Sequence, residues 1–318
     1  MKSAIAHQAQ AGDAAGMVPL PTADAGSSLR VAISGASGLV GTALTARLTA
    51  AGHQVTALVR PGSGRPGIVW DPQAGTIDAA GLRACDAVIH LAGETVAQRW
   101  TTAARERILA SRVTGTGLLA RTLAEDPGRV RVFVSASGVA RAGGTGDRPA
   151  TEADDLGTGF LAEVVRAWEG AAAPLAATSM RTVFLRTGVV LSPAGGALAQ
   201  MLLPFRCGLG GPVGHGRQWL PWIGLDDLTG LYLQSLTDPR LVGPVHAVTG
   251  SIRQGEFARI LGKVLGRPAF LPLPALAVKL LMGAMGRELL LESLCVQPAA
   301  AFTPQDPALE PFLTRILA

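Results

Sequence analysis

The chain has 318 residues, 48% hydrophobic and only 16% charged, against roughly 25% charged in an average soluble protein. That balance excludes a disordered or coiled-coil chain, and the length suits one large domain or two small ones. Of the 28 basic residues behind the net charge of +5, only Lys2, Lys263 and Lys279 are lysines, and the arginines are scattered. Aromatics are 4%, so neither a charged stripe nor a stacking platform for nucleic acid is present.

Residues 1–28 lack periodicity and are expected to form a flexible tail. Gln8, Gln10 and Asp13 interrupt the apolar stretch that a secretion signal would need. Leu29–Ser34 is a short apolar run, predicting a buried strand. Gly35-Ala36-Ser37-Gly38-Leu39-Val40-Gly41 follows and opens a helix closed at Gly52. Strands are predicted over Gln54–Arg60, Asp86–Leu91, Val130–Ser135 and Arg181–Arg186, with helices over Thr101–Leu123 and Thr158–Ala173. Apolar strands alternating with helices of this length predict an α/β fold, a doubly wound parallel sheet covered on both faces.

After about residue 190 the rhythm fades. Ser192–Gly216 is rich in glycine and proline. A helix is predicted over Leu225–Leu236, a strand over Val245–Val248 and a helix over Gln254–Leu265, then an apolar helix after Pro274. The expected organisation is a tail at 1–28, a dinucleotide-binding domain at 29–190 and a smaller substrate-side domain at 191–318, parts of which return to the first sheet. Phe270–Met285 is broken by Pro272, Pro274 and Lys279, too short to span a bilayer, and no membrane partner is expected. Cys85, Cys207 and Cys295 are far apart and the five histidines lack ligand spacing, which argues against disulfides and metal and for a reducing, cytoplasmic setting.

The glycine turn carries the first functional signal. Gly35 permits a tight turn, Gly38 admits a pyrophosphate close to the backbone, and Gly41 lets the helix pack on the sheet. With Ser37, the N–H groups of Leu39 and Val40 at the helix start would receive the anion. The second strand ends in Arg60, without the acid that usually holds the ribose 2′-OH of NAD. A cation there suits a 2′-phosphate, so the expected cofactor is NADP(H). Arg65 is a second candidate, and solvation of the strand end is the plainer alternative. Leu91-Ala92-Gly93-Glu94 ends a strand bordering the same crevice. There Ala92 and Gly93 would lie against adenosine or pyrophosphate, and Glu94 is either a ligand contact or a loop carboxylate.

Together with AVIHLAGE, SRVTGT (Ser111–Thr116), VSASG (Val134–Gly138), FLAEVVRAWE (Phe160–Glu169), RTGVVLSPAGGAL (Arg186–Leu198) and GRQWLPWIGLDDL (Gly216–Leu228), these residues resemble one family. It is the atypical or extended short-chain dehydrogenase/reductases, in the nucleoside-diphosphate-sugar epimerase-like oxidoreductase subgroup with its own small C-terminal domain. The resemblance covers about residues 29–298 and implies an NADP(H)-binding Rossmann fold, without implying a substrate. The chain departs from it at Arg141-Ala142-Gly143, where relatives often carry tyrosines, at Trp222-Ile223-Gly224, and over Gln297–Ala318.

Short-chain reductases usually use a Tyr hydroxyl as acid or base, with a Lys four residues on. Here Tyr232 is the only tyrosine and no lysine lies between residues 3 and 262, so the pair is absent. Phe160, Leu161, Val164 and Val165 occupy its helix. Ser137 remains where a substrate-orienting serine would sit, or else it satisfies a turn. Glu163 is the remaining candidate catalytic carboxylate, unless it is an ordinary exposed helical residue. His215, Arg217 and Gln218 lie in a glycine-rich segment that is either a lid or a loose loop, and Asp226 and Asp227 precede a helix as expected caps. Three functions remain open: an NADP(H)-dependent oxidoreductase or epimerase-like enzyme acting on an unidentified small molecule, an NADP(H)-binding sensor or partner-binding module, and cofactor-independent chemistry in the same pocket. Oligomeric state is left open.

Overall fold

The computed structural model describes residues 28–139, 146–155 and 157–318. The expected tail, up to its last residue, and the Arg141–Gly143 departure therefore lie outside the described residues. In chain order, β1 (Arg30–Ser34) leads through the glycine turn to α1 (Leu39–Ala50) and β2 (Gln54–Val59). Gly52 turns the chain with φ +85° and His53 N–H donates back to Leu48 O, as a helix C-cap requires. Next come β3 (Ile68–Asp71), β4 (Thr76–Ile77), α2 (Ala79–Arg83), β5 (Ala87–His90), α3 (Thr102–Glu125), β6 (Val132–Gly138), α4 (Phe160–Gly170) and β7 (Arg181–Thr187). Thr101 caps α3, accepting from Ala104 N–H.

β8 (Val189–Ser192), α5 (Gly196–Arg206) and β9 (Trp219–Gly224) follow, then α6 (Leu225–Thr237) and β10 (Gly243–Ala247). The chain closes with β11 (Gly250–Arg253), α7 (Gln254–Val264), α8 (Ala275–Gly286) and α9 (Leu309–Leu317).

One sheet runs β10-β7-β6-β5-β1-β2-β3-β4, parallel throughout except for β3 with β4. Strand order reverses at β1, the topological switch point where doubly wound sheets bind ligands beyond the strands' carboxyl ends. This is a Rossmann fold. Val31, Ile33, Ile89, Val134 and Leu185 pack on Leu44, Leu48, Leu228 and Tyr232 of α1 and α6. Ala32, Val88 and Phe133 face Leu119 and Leu123 of α3 on the opposite side. Strands buried on both faces explain their near-continuous apolar sequence.

The second sheet, β11-β9-β8, is small. With α5, α7 and α9 it encloses its own core of Leu191, Leu198, Trp222, Phe257, Leu261 and Phe312. β10 returns to the large sheet beside β7. No described helix is long and apolar enough to cross a membrane.

Candidate functional site

The glycine turn is built by close approach. Gly35 has φ +71°, and a Cβ there would stand 2.9 Å from Ala92 N. A Cβ on Gly41 would lie 2.2 Å from Gly35 O, so α1 rests directly on the turn. On Gly38, by contrast, the nearest heavy atom would be Gly35 O at 3.5 Å. Gly38 is the N-cap of α1; no side chain caps this end and its first turn holds no acid. Those N–H groups and the helix dipole therefore offer themselves to an anion from outside the chain. Gly41→Ala is expected to destabilise the fold, measured by urea unfolding. Gly38→Ala should fold normally and weaken dinucleotide binding about tenfold or more by calorimetry.

Ser34, buried at the end of β1, fixes the neighbouring strand end. Its Oγ accepts from Leu91 N–H at 3.1 Å and Ala92 N–H at 3.2 Å. Its own hydrogen then goes to His90 Nδ1 at 2.6 Å, leaving the imidazole proton on Nε2. Ser111 Oγ on α3 accepts from Glu94 N–H at 3.0 Å, and Arg112 donates to Glu94 O at 2.9 Å. The Arg112 guanidinium lies over the Trp168 ring at 4.8 Å, and burial pushes its pKa down to about 10. The Leu91–Glu94 segment is thus held from both sides by side chains the sequence reading did not single out.

Burial also pushes the His90 pKa down to about 3 from 6.5. The folded chain keeps His90 neutral while the unfolded chain protonates it below about pH 6.5. Stability therefore rises with pH across that window and is lost as pH falls through it. Between pH 6 and 5, His90 should cost about 1 kcal/mol of unfolding free energy, measurable by urea titration. His90→Gln should flatten the slope. Buried His246, its pKa also lowered by desolvation, adds to the slope in the same direction.

The turn, the end of β2 and the Leu91–Glu94 segment enclose a cleft of about 600 Å³. Gly35, Ser37, Arg60, Arg65, Ala92, Gly93 and Glu94 line it. Arg60 contacts Asp71 Oδ1 loosely at 3.4 Å and leans toward the Trp70 ring at 5.9 Å. Glu94 takes a hydrogen bond from Gln98 Nε2 at 3.1 Å. The side chains of Leu39, Val40 and Leu91 turn elsewhere: Leu39 meets Gly195 of the small lobe, while Val40 and Leu91 pack on the core. Only their backbone groups can serve a ligand.

Neither candidate catalytic residue is among those lining that cleft. Glu163 is exposed at the start of α4, as the plainer alternative of an ordinary helical residue has it. Ser137 neither closes a turn nor stands free: its Oγ donates to Glu169 Oε1 at 2.7 Å. Arg186 grips both Glu169 oxygens, at 2.8 and 2.7 Å; the Arg186 side chain is buried and that of Glu169 largely so. Strand register aligns Ser137, Arg186 and His246 across β6, β7 and β10. Glu152 extends the row, accepting from His246 N–H at 3.0 Å. Val165 packs beneath Gly138. Tyr232 is fully buried, and desolvation raises its pKa further, so it carries no proton to a cleft.

In the glycine-rich segment, His215 Nδ1 accepts from Arg217 N–H at 3.0 Å. Gln218 is buried, donating to Val213 O and Leu290 O. Asp227 is no cap: it accepts from Thr249 Oγ1 and Gln305 N–H, and burial raises its pKa. Asp226 pairs with Arg315.

Residues 31–248, spanning the switch point and its cleft, match the model of the NAD dependent epimerase/dehydratase family. The chain belongs to that family. It is 40% identical over 306 residues to Epimerase family protein SDR39U1 of Bos taurus, covering 91% of this chain and all of the relative. It is 35% identical over 287 residues to Epimerase family protein SDR39U1 homolog, chloroplastic, of Arabidopsis thaliana, covering 86% of this chain and 82% of the relative. Among solved structures, human epimerase family protein SDR39U1 (isoform 2) with NADPH superimposes with a TM-score of 0.80 at 37% identity. That match covers 91% of this chain and 99% of the human one. The chain's one tyrosine, Tyr232, lies on α6, and α4 carries Phe160, Leu161, Val164 and Val165.

Proposed function

We propose that this epimerase-family chain binds NADP(H) in the cleft at the carboxyl ends of β1, β2 and β5 and serves as an NADP(H)-dependent oxidoreductase or epimerase-like enzyme. One observation carries the reading: Arg60 and Arg65 line the cleft opposite an uncapped helix N-terminus, and β2 ends without a carboxylate. The N–H groups of α1 would hold the pyrophosphate, the two arginines the 2′-phosphate, and Ala92 and Gly93 would lie against the adenosine side. The NADPH named with the human relative supports the same choice.

The bound coenzyme would supply hydride transfer, and the chain supplies position and field. Ser34, Ser111 and Arg112 hold the Leu91–Glu94 wall rigid. The buried Ser137–Glu169–Arg186 row stiffens the adjoining end of β6. Proton transfer would draw on a group other than a Tyr–Lys pair. Isothermal calorimetry tests the first half: NADPH should bind at least about tenfold more tightly than NADH. The absence of heat with either coenzyme would end the proposal.

A second reading, binding without turnover, is favoured by the Ser137 hydroxyl being spent on Glu169 at 2.7 Å. Loss of 340 nm absorbance with any carbonyl or nucleotide-sugar substrate supports the enzyme. Tight NADPH binding with no oxidation across the panel supports the binding module.

A further inference from the structure

The loop before α8 and the helix itself present their apolar side chains outward. Phe270, Leu271, Leu273, Leu276, Leu280 and Leu281 are each between 41% and 77% exposed. α8 buries Val278 and Met285 and turns Leu276 and Leu280, one helical turn apart, to solvent. A surface helix normally does the reverse, and a contiguous apolar face of this kind marks an interaction site. Exposed Leu209 extends it, because Gly210 O accepts from Leu271 N–H.

The two stretches of chain that carry this face hold charges of one sign. No Asp or Glu occurs from Phe257 to Arg287 or from Ala171 to Leu225. Arg206, Arg267, Lys279 and Arg287 are exposed there. The next carboxylate, Glu288, is turned inward onto the backbone N–H groups of Phe160 and Leu161. Lys279 lies on the outward side between Leu276 and Leu280, where its stem can cover apolar surface while its ammonium reaches past it.

We propose that this face docks on an anionic lipid bilayer, with the leucines at the acyl boundary and the arginines and Lys279 among the phosphates. An apolar face rimmed by cations matches that interface in both chemistries. A second copy of the same face would set the like charges of these stretches against each other, with no carboxylate within them to answer. The shortness that rules out spanning does not bear on lying flat, which needs only a face.

The test is co-sedimentation of the full chain with phosphatidylcholine vesicles, with and without phosphatidylglycerol. The protein should pellet with the anionic vesicles, less at high salt, and little with neutral ones. Leu276→Ser/Leu280→Ser/Leu281→Ser should lower the partition at least about tenfold, with NADPH affinity and melting temperature unchanged. Lys279→Glu should weaken it in the same direction. Failure of the wild type to pellet with anionic vesicles overturns the proposal, as does a triple variant that pellets equally well. A dimer in sedimentation velocity that the triple variant dissolves also overturns it, assigning the face to a second copy.

Discussion

Replacing Arg60 by alanine is expected to weaken NADPH binding about thirtyfold and leave NADH binding within about twofold. A charge-assisted bond to a phosphate contributes about 1.5–3 kcal/mol, and each 1.4 kcal/mol is tenfold in affinity. The arginine is free to make that bond. Its contact with Asp71 is long, at 3.4 Å, and more than half of its side chain is exposed. Asp71 is meanwhile engaged by Gln73 N–H and Ala74 N–H, so it does not depend on Arg60 for its place. Stability should therefore hardly move. Calorimetry with both coenzymes decides the matter: equal losses would show that Arg60 does not read the 2′-phosphate, and Arg65→Ala would then be the variant to measure.

Glu169→Ala should cost about 3–5 kcal/mol of stability, the usual penalty for stranding one partner of a buried ion pair. Three bonds end on this carboxylate, two from Arg186 and one from Ser137. Its removal leaves a guanidinium in the interior beside the end of β6. The double variant Glu169→Leu/Arg186→Met should recover much of the loss, because two apolar side chains of similar volume need no partner. Urea unfolding of the three proteins gives the coupling directly. A single variant as stable as wild type would mean that the pair contributes nothing.

The parts of the molecule that obey short-range rules were readable in advance. Gly35, Gly38 and Gly41 are spaced by the demands of a turn and a helix start, and the apolar runs at β1, β5, β6 and β7 announce strands buried on both faces. Arg60 stands out in the sequence because the end of the second strand is where an acid or a cation would meet the ribose. The small sheet was not readable: β8 and β11 are four residues each, β9 contains Pro221, and α5 begins at a glycine and contains Pro204. β3 and α2 are as brief. The Glu169–Arg186 pair closes across 17 residues through strand register, which no local spacing encodes. Glu163 stands out in the sequence because it lies on the helix expected to face the crevice. Glu169, six positions on, faces another way and is the carboxylate that the strand ends engage. A sign was present: a Glu and an Arg embedded in the apolar stretches AWEG and VFLRTGVV.

Among the described residues the polypeptide passes between the two lobes at Gly188, at Gly224, near Thr249, between Val296 and Ala299, and after Gln305. Several passages are pinned, as where Thr249 N–H donates to Trp222 O and Ala299 N–H to His246 O. A hinge needs one or two pliant strands of chain, not a seam stitched many times over. So many crossings resist opening one lobe from the other, and the cleft does not need it: Arg60, Arg65 and Gly93 of its lining already face solvent.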